Sequence, residues 1–149
     1  MRSFLKYWLP LLTWLCVIFV GSTDLMSAEQ TSRFLVPLLR WLKPDISTEA
    51  LAQVHFFVRK LGHISEYAIF ALLLWRALRS GTNLQMKLPI LFVAAWILCT
   101  IFAASDEFHQ SFVTSRTPSF DDVLIDICGA FIGLAICLGF LRRRATQKI

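Results

Sequence analysis

Long apolar runs separated by short polar stretches dominate the chain. Four of these runs are long enough to cross a bilayer, since a transmembrane helix needs about 20 mostly apolar residues. They predict an all-α polytopic membrane helix bundle with four transmembrane helices, which span about residues 5–21, 62–78, 88–104 and 120–141. The connections between these runs are too short to form a separate soluble domain, so we expect residues 1–149 to form a single membrane domain.

The stretch between the first two runs has a different pattern. Apolar side chains recur at helical spacing on one side of it: Phe34, Leu35, Leu38, Leu39 and Leu42. The basic residues of the same stretch fall on the opposite side, so we predict a short helix that lies in the membrane interface and ends at Pro44. A second helix, capped by Asp45 or Ser47, is expected to follow before the second span.

Three local signals refine this arrangement. Ser119 and Asp122 have the spacing of a capping box and predict the start of the fourth span. Gly129 and Gly133 lie four residues apart in that span and predict close packing against another helix. The first run has the alternative interpretation of a cleaved signal peptide, because basic residues precede it and small residues follow it.

Composition and charge agree with a membrane protein. The chain is 56% hydrophobic and carries a net charge of +5, and its mean hydropathy is +0.61. We attribute the basic excess to topology and expect no nucleic-acid binding, because no nucleic-acid-binding motif accompanies it. The four cysteines lie in apolar segments without a CxxC pair, so we expect packing residues and no disulfide framework.

Charge asymmetry predicts the orientation of the four spans. Nine of the basic residues fall at the termini and in the second loop, and six fall in the two other connections. Positive residues favour the cytoplasm, so we place both termini there and the protein in the inner (cytoplasmic) membrane. All ten carboxylates lie at the opposite, extracytoplasmic side. Glu66 and Asp126 are a turn or more inside their spans, where a charge costs about 2.5–3.5 kcal/mol, which makes them functional candidates.

Each predicted span contributes polar residues at this same depth. On this ground we assign candidate catalytic roles to seven residues: His63, Glu66, Asp106, Glu107, His109, Asp122 and Asp126. Substrate-binding roles are assigned to five more: Asp24, Lys60, Tyr67, Gln110 and Arg116. Each has a structural alternative when taken alone, such as an interfacial aromatic for Tyr67. The sequence contains no fixed metal-ligand spacing such as HExxH and identifies no cofactor, so no metal ligands are assigned.

Three ordered motifs resemble those of the VanZ-like family. They are K-x-x-H-x-x-E-Y over residues 60–67, S-D-E-x-H-Q-x-F over residues 105–112, and R-x-x-S-x-x-D-V-x-x-D-x-x-G over residues 116–129. Asp24 is similar to an early aspartate of that family, whereas Asp126 stands where the family commonly has asparagine. The resemblance implies a small integral membrane protein and a link to resistance to the glycopeptide teicoplanin.

The sequence leaves three functional classes open. The first is an enzyme that acts on an anionic envelope lipid or lipid-linked precursor, with Lys60 and Arg116 holding the headgroup and a histidine as acid or base. The second is a non-catalytic membrane protein that binds such a ligand or modulates a partner. A proton-coupled carrier is the third and is disfavoured, because carriers usually place ionisable groups near the membrane midplane. The expected partners are membrane lipid and a lipid-linked envelope precursor, and the oligomeric state is not predicted.

Overall fold

The described part of the protein is entirely helical. The computed structural model describes residues 2–23, 28–82, 85–113 and 118–146, and within these ranges it contains five α-helices and no strands. The helices are α1 (Arg2–Gly21), α2 (Ala28–Leu42), α3 (Thr48–Ser80), α4 (Leu88–Gln110) and α5 (Phe120–Thr146). Of these, α1, α3, α4 and α5 are long and apolar enough to cross a membrane. The predicted all-α bundle with four transmembrane helices is confirmed.

The second span differs from its predicted form. We expected a separate helix before a span that begins near Gly62, but α3 is one continuous helix of 33 residues. Gly62 does not interrupt it, because one glycine in a helix costs only about 1 kcal/mol relative to alanine. At 1.5 Å per residue α3 is about 50 Å long, which exceeds the hydrocarbon core of about 30 Å. Its first turns therefore extend beyond that core.

Two of the predicted features before the second span are present. The stretch expected to form an interfacial helix is α2, and it exposes Phe34, Leu38 and Trp41. Ser47 is the N-cap of α3, and its hydroxyl oxygen accepts a hydrogen bond of 3.2 Å from the backbone N–H of Ala50. The predicted cap is thus confirmed, and the placement of α2 at the membrane interface stays a prediction.

The most extensive helix pair is α3 with α5. A Cβ atom placed on Gly129 would lie 2.5 Å from the carbonyl oxygen of Ile64, and one placed on Gly133 would lie even closer to the carbonyl oxygen of Ala68. Neither position has room for a side chain, so the two glycines let the helix backbones approach. This confirms the predicted packing face of small residues.

Two tryptophans attach α1 to the rest of the bundle. The indole N–H of Trp14 donates to the carbonyl oxygen of Glu66 at 2.9 Å, and that of Trp8 donates to the carbonyl oxygen of Gly81 at 3.2 Å. Both bonds run to α3 or its C-cap, because α1 packs along that helix. Each indole also buries a large apolar surface, which suits a helix that lies against others inside a membrane.

The two ends of the bundle differ in charge. One end, which we call the acidic end, contains the C-terminus of α1, residues 48–66 of α3, the C-terminus of α4 and the N-terminus of α5. The carboxylates of α3, α4 and α5 all lie on these segments. The opposite end, which we call the basic end, carries these described basic residues: Lys6, Arg76, Arg79, Lys87, Arg142 and Arg143.

Candidate functional site

Asp122 is the centre of the first polar cluster at the acidic end. Its side chain is fully buried, and its two oxygens accept hydrogen bonds from Lys60 and Arg59, the latter at 2.5 Å. Both cations project from α3, whereas Asp122 belongs to the first turn of α5. These charge-assisted bonds therefore join the two helices at the acidic end.

The predicted capping box at the start of α5 is wrong in its side-chain contacts. A capping box would have the carboxylate of Asp122 accept the backbone N–H of Ser119. Instead that N–H donates to the carboxylate of Glu107 on α4, and Asp122 faces the cations of α3. Two charged donors bind a buried carboxylate more strongly than one amide does, which explains the exchange.

His63 lies between the two aspartates of α5. Its Nδ1 atom is 3.0 Å from Oδ1 of Asp126, and its Nε2 atom is 3.9 Å from Oδ2 of Asp122. With Asp126 ionised, its carboxylate can only accept a hydrogen bond, and Nδ1 of His63 is then the donor of the pair. The Nε2 atom then presents a lone pair that can accept a proton.

A second polar cluster joins α4 to the end of α1. The hydroxyl of Ser22 donates to Oδ1 of Asp106, and the side-chain amide of Gln110 donates to Oδ2 of the same carboxylate at 3.2 Å. The Nε2 atom of Gln110 also donates a hydrogen bond of 3.4 Å to the Oγ atom of Ser22. Because Asp106 and Gln110 are four residues apart on α4, they share one helix face.

A cavity of about 360 Å³ connects the two clusters. It lies at the acidic end between α1, α2, α3 and α4, and its volume is typical of a site for a small ligand or headgroup. Its polar lining residues include Ser22, His55, Arg59, His63, Glu66 and Gln110. Helix α2 covers one side through Thr31, and the neighbouring Ser32 contacts the ring of His55 at 3.3 Å.

Three buried acceptors among the described residues have no hydrogen-bond partner, and one of them, on Gln110, belongs to a residue that lines the cavity. Within the described part of the chain, Oε2 of Glu107, Oε1 of Gln110 and Oδ2 of Asp126 are buried and have no hydrogen-bond partner. An unsatisfied buried polar group costs about 1–3 kcal/mol, so each of these oxygens is suited to accept a hydrogen bond. All three are acceptors, and the donor that fits them is water, a hydroxyl or a protonated group.

The structure brings most of the predicted site residues to these clusters or to the cavity. His63, Glu66 and Gln110 line the cavity, and Asp106 hydrogen-bonds to Gln110. The carboxylates of Asp122 and Asp126 flank His63, Lys60 bonds to Asp122, and Glu107 binds the N-terminus of α5, as described above.

Two predicted residues, His109 and Tyr67, have other positions, and two more are not described. The ring of His109 stacks on Phe19 with the centroids 4.7 Å apart. Tyr67 is buried in the core, and its ring meets that of Phe70 edge-on at 6.0 Å. Asp24 and Arg116 lie outside the described residues. Lys60 is bonded to Asp122, and its predicted contact with an anionic headgroup stays a prediction.

Three residues at the site were not assigned a role from the sequence. Arg59 is one of the six basic residues of the two other connections, and it immediately precedes the motif that begins at Lys60. Ser22 was noted only as a small residue after the first span, and His55 falls before the motifs. These three polar residues could have been identified because they lie at the same predicted membrane depth as the assigned residues. Among the described residues, no group of three or more His, Cys, Asp and Glu side chains is arranged to hold a metal ion.

The fold and this site define a class of protein: a small multi-pass membrane protein with a buried polar network at one end of a four-span bundle. The family model described as VanZ/LLP1 matches residues 7–142, which is nearly the whole chain. The protein belongs to the VanZ/LLP1 family, as the sequence motifs predicted. No curated protein and no solved structure shows a significant match to the chain.

Proposed function

We propose that the protein binds the headgroup of an anionic envelope lipid or lipid-linked precursor in the cavity at the acidic end, and that His63 acts there as an acid–base catalyst. The observation that carries this proposal is the pairing of His63 with Asp126 at the wall of a cavity. A buried histidine that is held by a carboxylate and opens to a ligand-sized space has the arrangement of a general base.

Each member of the pair has a distinct role in this proposal. Asp126 holds the ring through Nδ1 and stabilises the imidazolium that forms when Nε2 takes a proton. The proton comes from a water molecule or a substrate hydroxyl that lies within hydrogen-bond distance of Nε2. The buried acceptor atom of Gln110 at the cavity wall is suited to hold such a hydroxyl group.

Arg59 is the residue that we propose for binding the anionic part of the headgroup. It lines the cavity and binds Asp122 at the same time. A guanidinium presents five N–H donors in a planar fork, which suits simultaneous contact with a carboxylate and a phosphate. In this assignment Lys60 takes the supporting role of neutralising Asp122 rather than the role of headgroup contact.

Orientation and location belong to the same proposal. With both termini in the cytoplasm of a cell with an inner membrane, the acidic end lies at the extracytoplasmic interface. The lipids of that leaflet then present their headgroups at the depth of the cavity. An envelope lipid as ligand would also fit the glycopeptide resistance that the VanZ-like resemblance implies.

The test uses the full chain in vesicles of phosphatidylcholine that contain either phosphatidylglycerol or a polyprenyl phosphate as the probe lipid. Mass spectrometry measures the lipid that stays bound and any product that is released. Gly62→Leu is the informative variant, because Gly62 lines the cavity and has no atom within 4 Å of an added Cβ. Gly139→Leu is its matched control, since Gly139 is equally unobstructed and lies far along α5.

We expect Gly62→Leu to lose probe binding while Gly139→Leu retains it, and His63→Gln to bind the probe without forming product. Equal binding by both glycine variants would refute the cavity as the binding site. Binding without product in the unmodified protein would refute catalysis and leave the non-catalytic binder. The ion pairs of Asp122 are compatible with this non-catalytic function. They can stabilise the bundle whether or not the protein catalyses a reaction.

A further inference from the structure

A second concave surface lies at the basic end of the bundle, between the start of α4 and the end of α5. This groove has a volume of about 560 Å³. Six of its lining residues are apolar and one is basic: Leu88, Pro89, Phe92, Val93, Leu138, Leu141 and Arg142. It shares no lining residue with the cavity at the acidic end.

The apolar part of the groove fits an acyl chain. Its walls belong to two helices that are apolar enough to span the membrane, so the groove faces hydrocarbon. Val93 is about half exposed, and Leu88 is exposed to a similar degree. A lipid chain that lies in such a concave surface contacts protein on several sides, which increases its van der Waals contact over that at a flat helix face.

The charge at this end fits an anionic headgroup. Arg142 lines the groove, and Lys87 immediately precedes its first residue. Residues 67–105 and 127–149 contain no Asp or Glu, so the sequence supplies no acidic side chain from the ends of α3, α4 and α5 near the groove. Basic residues next to a membrane attract anionic lipid by about 1 kcal/mol each, which a zwitterionic headgroup does not match.

From these two observations we infer that the groove is a binding site for an anionic glycerophospholipid of the leaflet that surrounds the basic end, with one acyl chain against Val93 and Leu138 and the headgroup phosphate at Arg142. The site is separate from the proposed function, because it lies at the other end of the bundle and uses none of the residues of the polar network. It would bind a structural or regulatory lipid rather than a substrate.

The test measures which lipid the protein retains. The full chain is purified in mild detergent, equilibrated with equal amounts of phosphatidylglycerol and phosphatidylcholine, and analysed by native mass spectrometry. Arg142→Gln removes the proposed phosphate contact, and the neighbouring Arg143→Gln is the matched control for loss of one positive charge. Val93→Trp fills the groove, and Ile97→Trp places the same bulk on an exposed position of α4 that does not line it.

We expect the unmodified protein to retain phosphatidylglycerol in preference to phosphatidylcholine, and Arg142→Gln to lower that preference about fivefold, as is typical of one basic residue at an anionic surface. Val93→Trp should reduce the retention of both lipids, whereas Ile97→Trp should leave it unchanged. Equal retention of the two lipids by the unmodified protein would overturn the inference. So would equal effects of Arg142→Gln and Arg143→Gln, or displacement of the lipid by inorganic phosphate alone.

Discussion

The interface between α3 and α5 has two halves that are built in opposite ways. Toward the basic end, Gly129 and Gly133 bring the two backbones into contact without any polar side chain. Toward the acidic end, Asp122 and Asp126 face cations and a histidine of α3. Gly129 is three positions after Asp126, so the change occurs within one helical turn.

The difference shows that helix association alone does not require the polar half. Close packing of small residues is sufficient to hold membrane helices together. A buried ion pair loses hydration when it forms, and replacing it by apolar residues is often neutral or stabilising. Close packing of the glycine half is thus sufficient to hold α3 beside α5, and the polar half is where we place the proposed chemistry.

The largest expected loss of stability comes from removing the central carboxylate. Asp122→Ala leaves Lys60 and Arg59 at the interface without their common acceptor, which should lower the free energy of unfolding by about 3–5 kcal/mol. Unfolding of the purified protein in a denaturing detergent measures this change. Asp121→Ala is the control, because Asp121 is exposed at the adjacent position. Similar losses in the two variants would mean that the ion pairs do not hold the polar half together.

A smaller loss is expected in the glycine half. Gly133→Ala places a methyl group against the backbone of Ala68, which cannot move aside as a side chain could, and should cost about 1–3 kcal/mol in the same assay. Gly139→Ala meets no atom within 4 Å and should stabilise the helix slightly. A stable Gly133→Ala protein would show that the two backbones are further apart than the structure places them.

The hydrogen bond from Trp14 holds α1 against α3 near the point where the two halves meet. Trp14→Phe removes the hydrogen bond to the carbonyl oxygen of Glu66 and should cost about 1 kcal/mol. Trp41→Phe is the matched control, since Trp41 is exposed on α2. If thermal unfolding does not distinguish the two variants, the indole bond contributes nothing to holding α1 in place.

The smallest effect on stability should come from Asp126→Asn, which keeps the shape of the side chain and a hydrogen-bonding group toward His63. We expect the free energy of unfolding to change by less than about 1 kcal/mol, since volume is conserved. Product formation should fall by about 100-fold, because an oriented acid–base residue contributes at least that much. Asp121→Asn should change neither quantity. A large loss of stability with unchanged turnover would assign Asp126 to the bundle and not to the chemistry.

The sequence was sufficient for the features that depend on local pattern. The four spans follow from long apolar runs, the Ser47 cap from its position before a helix, and the packing face from two glycines four residues apart. The bounds of the same spans also predict that the polar residues lie together at one end of the bundle. These features could be predicted because each is decided by neighbouring residues along the chain.

Features that depend on another helix were missed or misread. Asp122 has the local spacing of a capping residue, and only the cations of α3 show why its side chain turns away. Ser22 gives no sign in the sequence that it will meet Asp106 across the bundle. The sequence likewise gives no sign that Arg59 and Lys60 share a partner on α5.

The length of α3 fixes the height of the His63 ring in the bilayer. His63 is 17 residues from Ser80 in one unbroken helix, which places it about 26 Å along the axis from that end. If Ser80 lies at one boundary of a hydrocarbon core of about 30 Å, the imidazole lies just inside the other boundary. A thinner bilayer brings the phosphate plane down to the ring and a thicker one lifts it away, so membrane thickness becomes a control on access to His63.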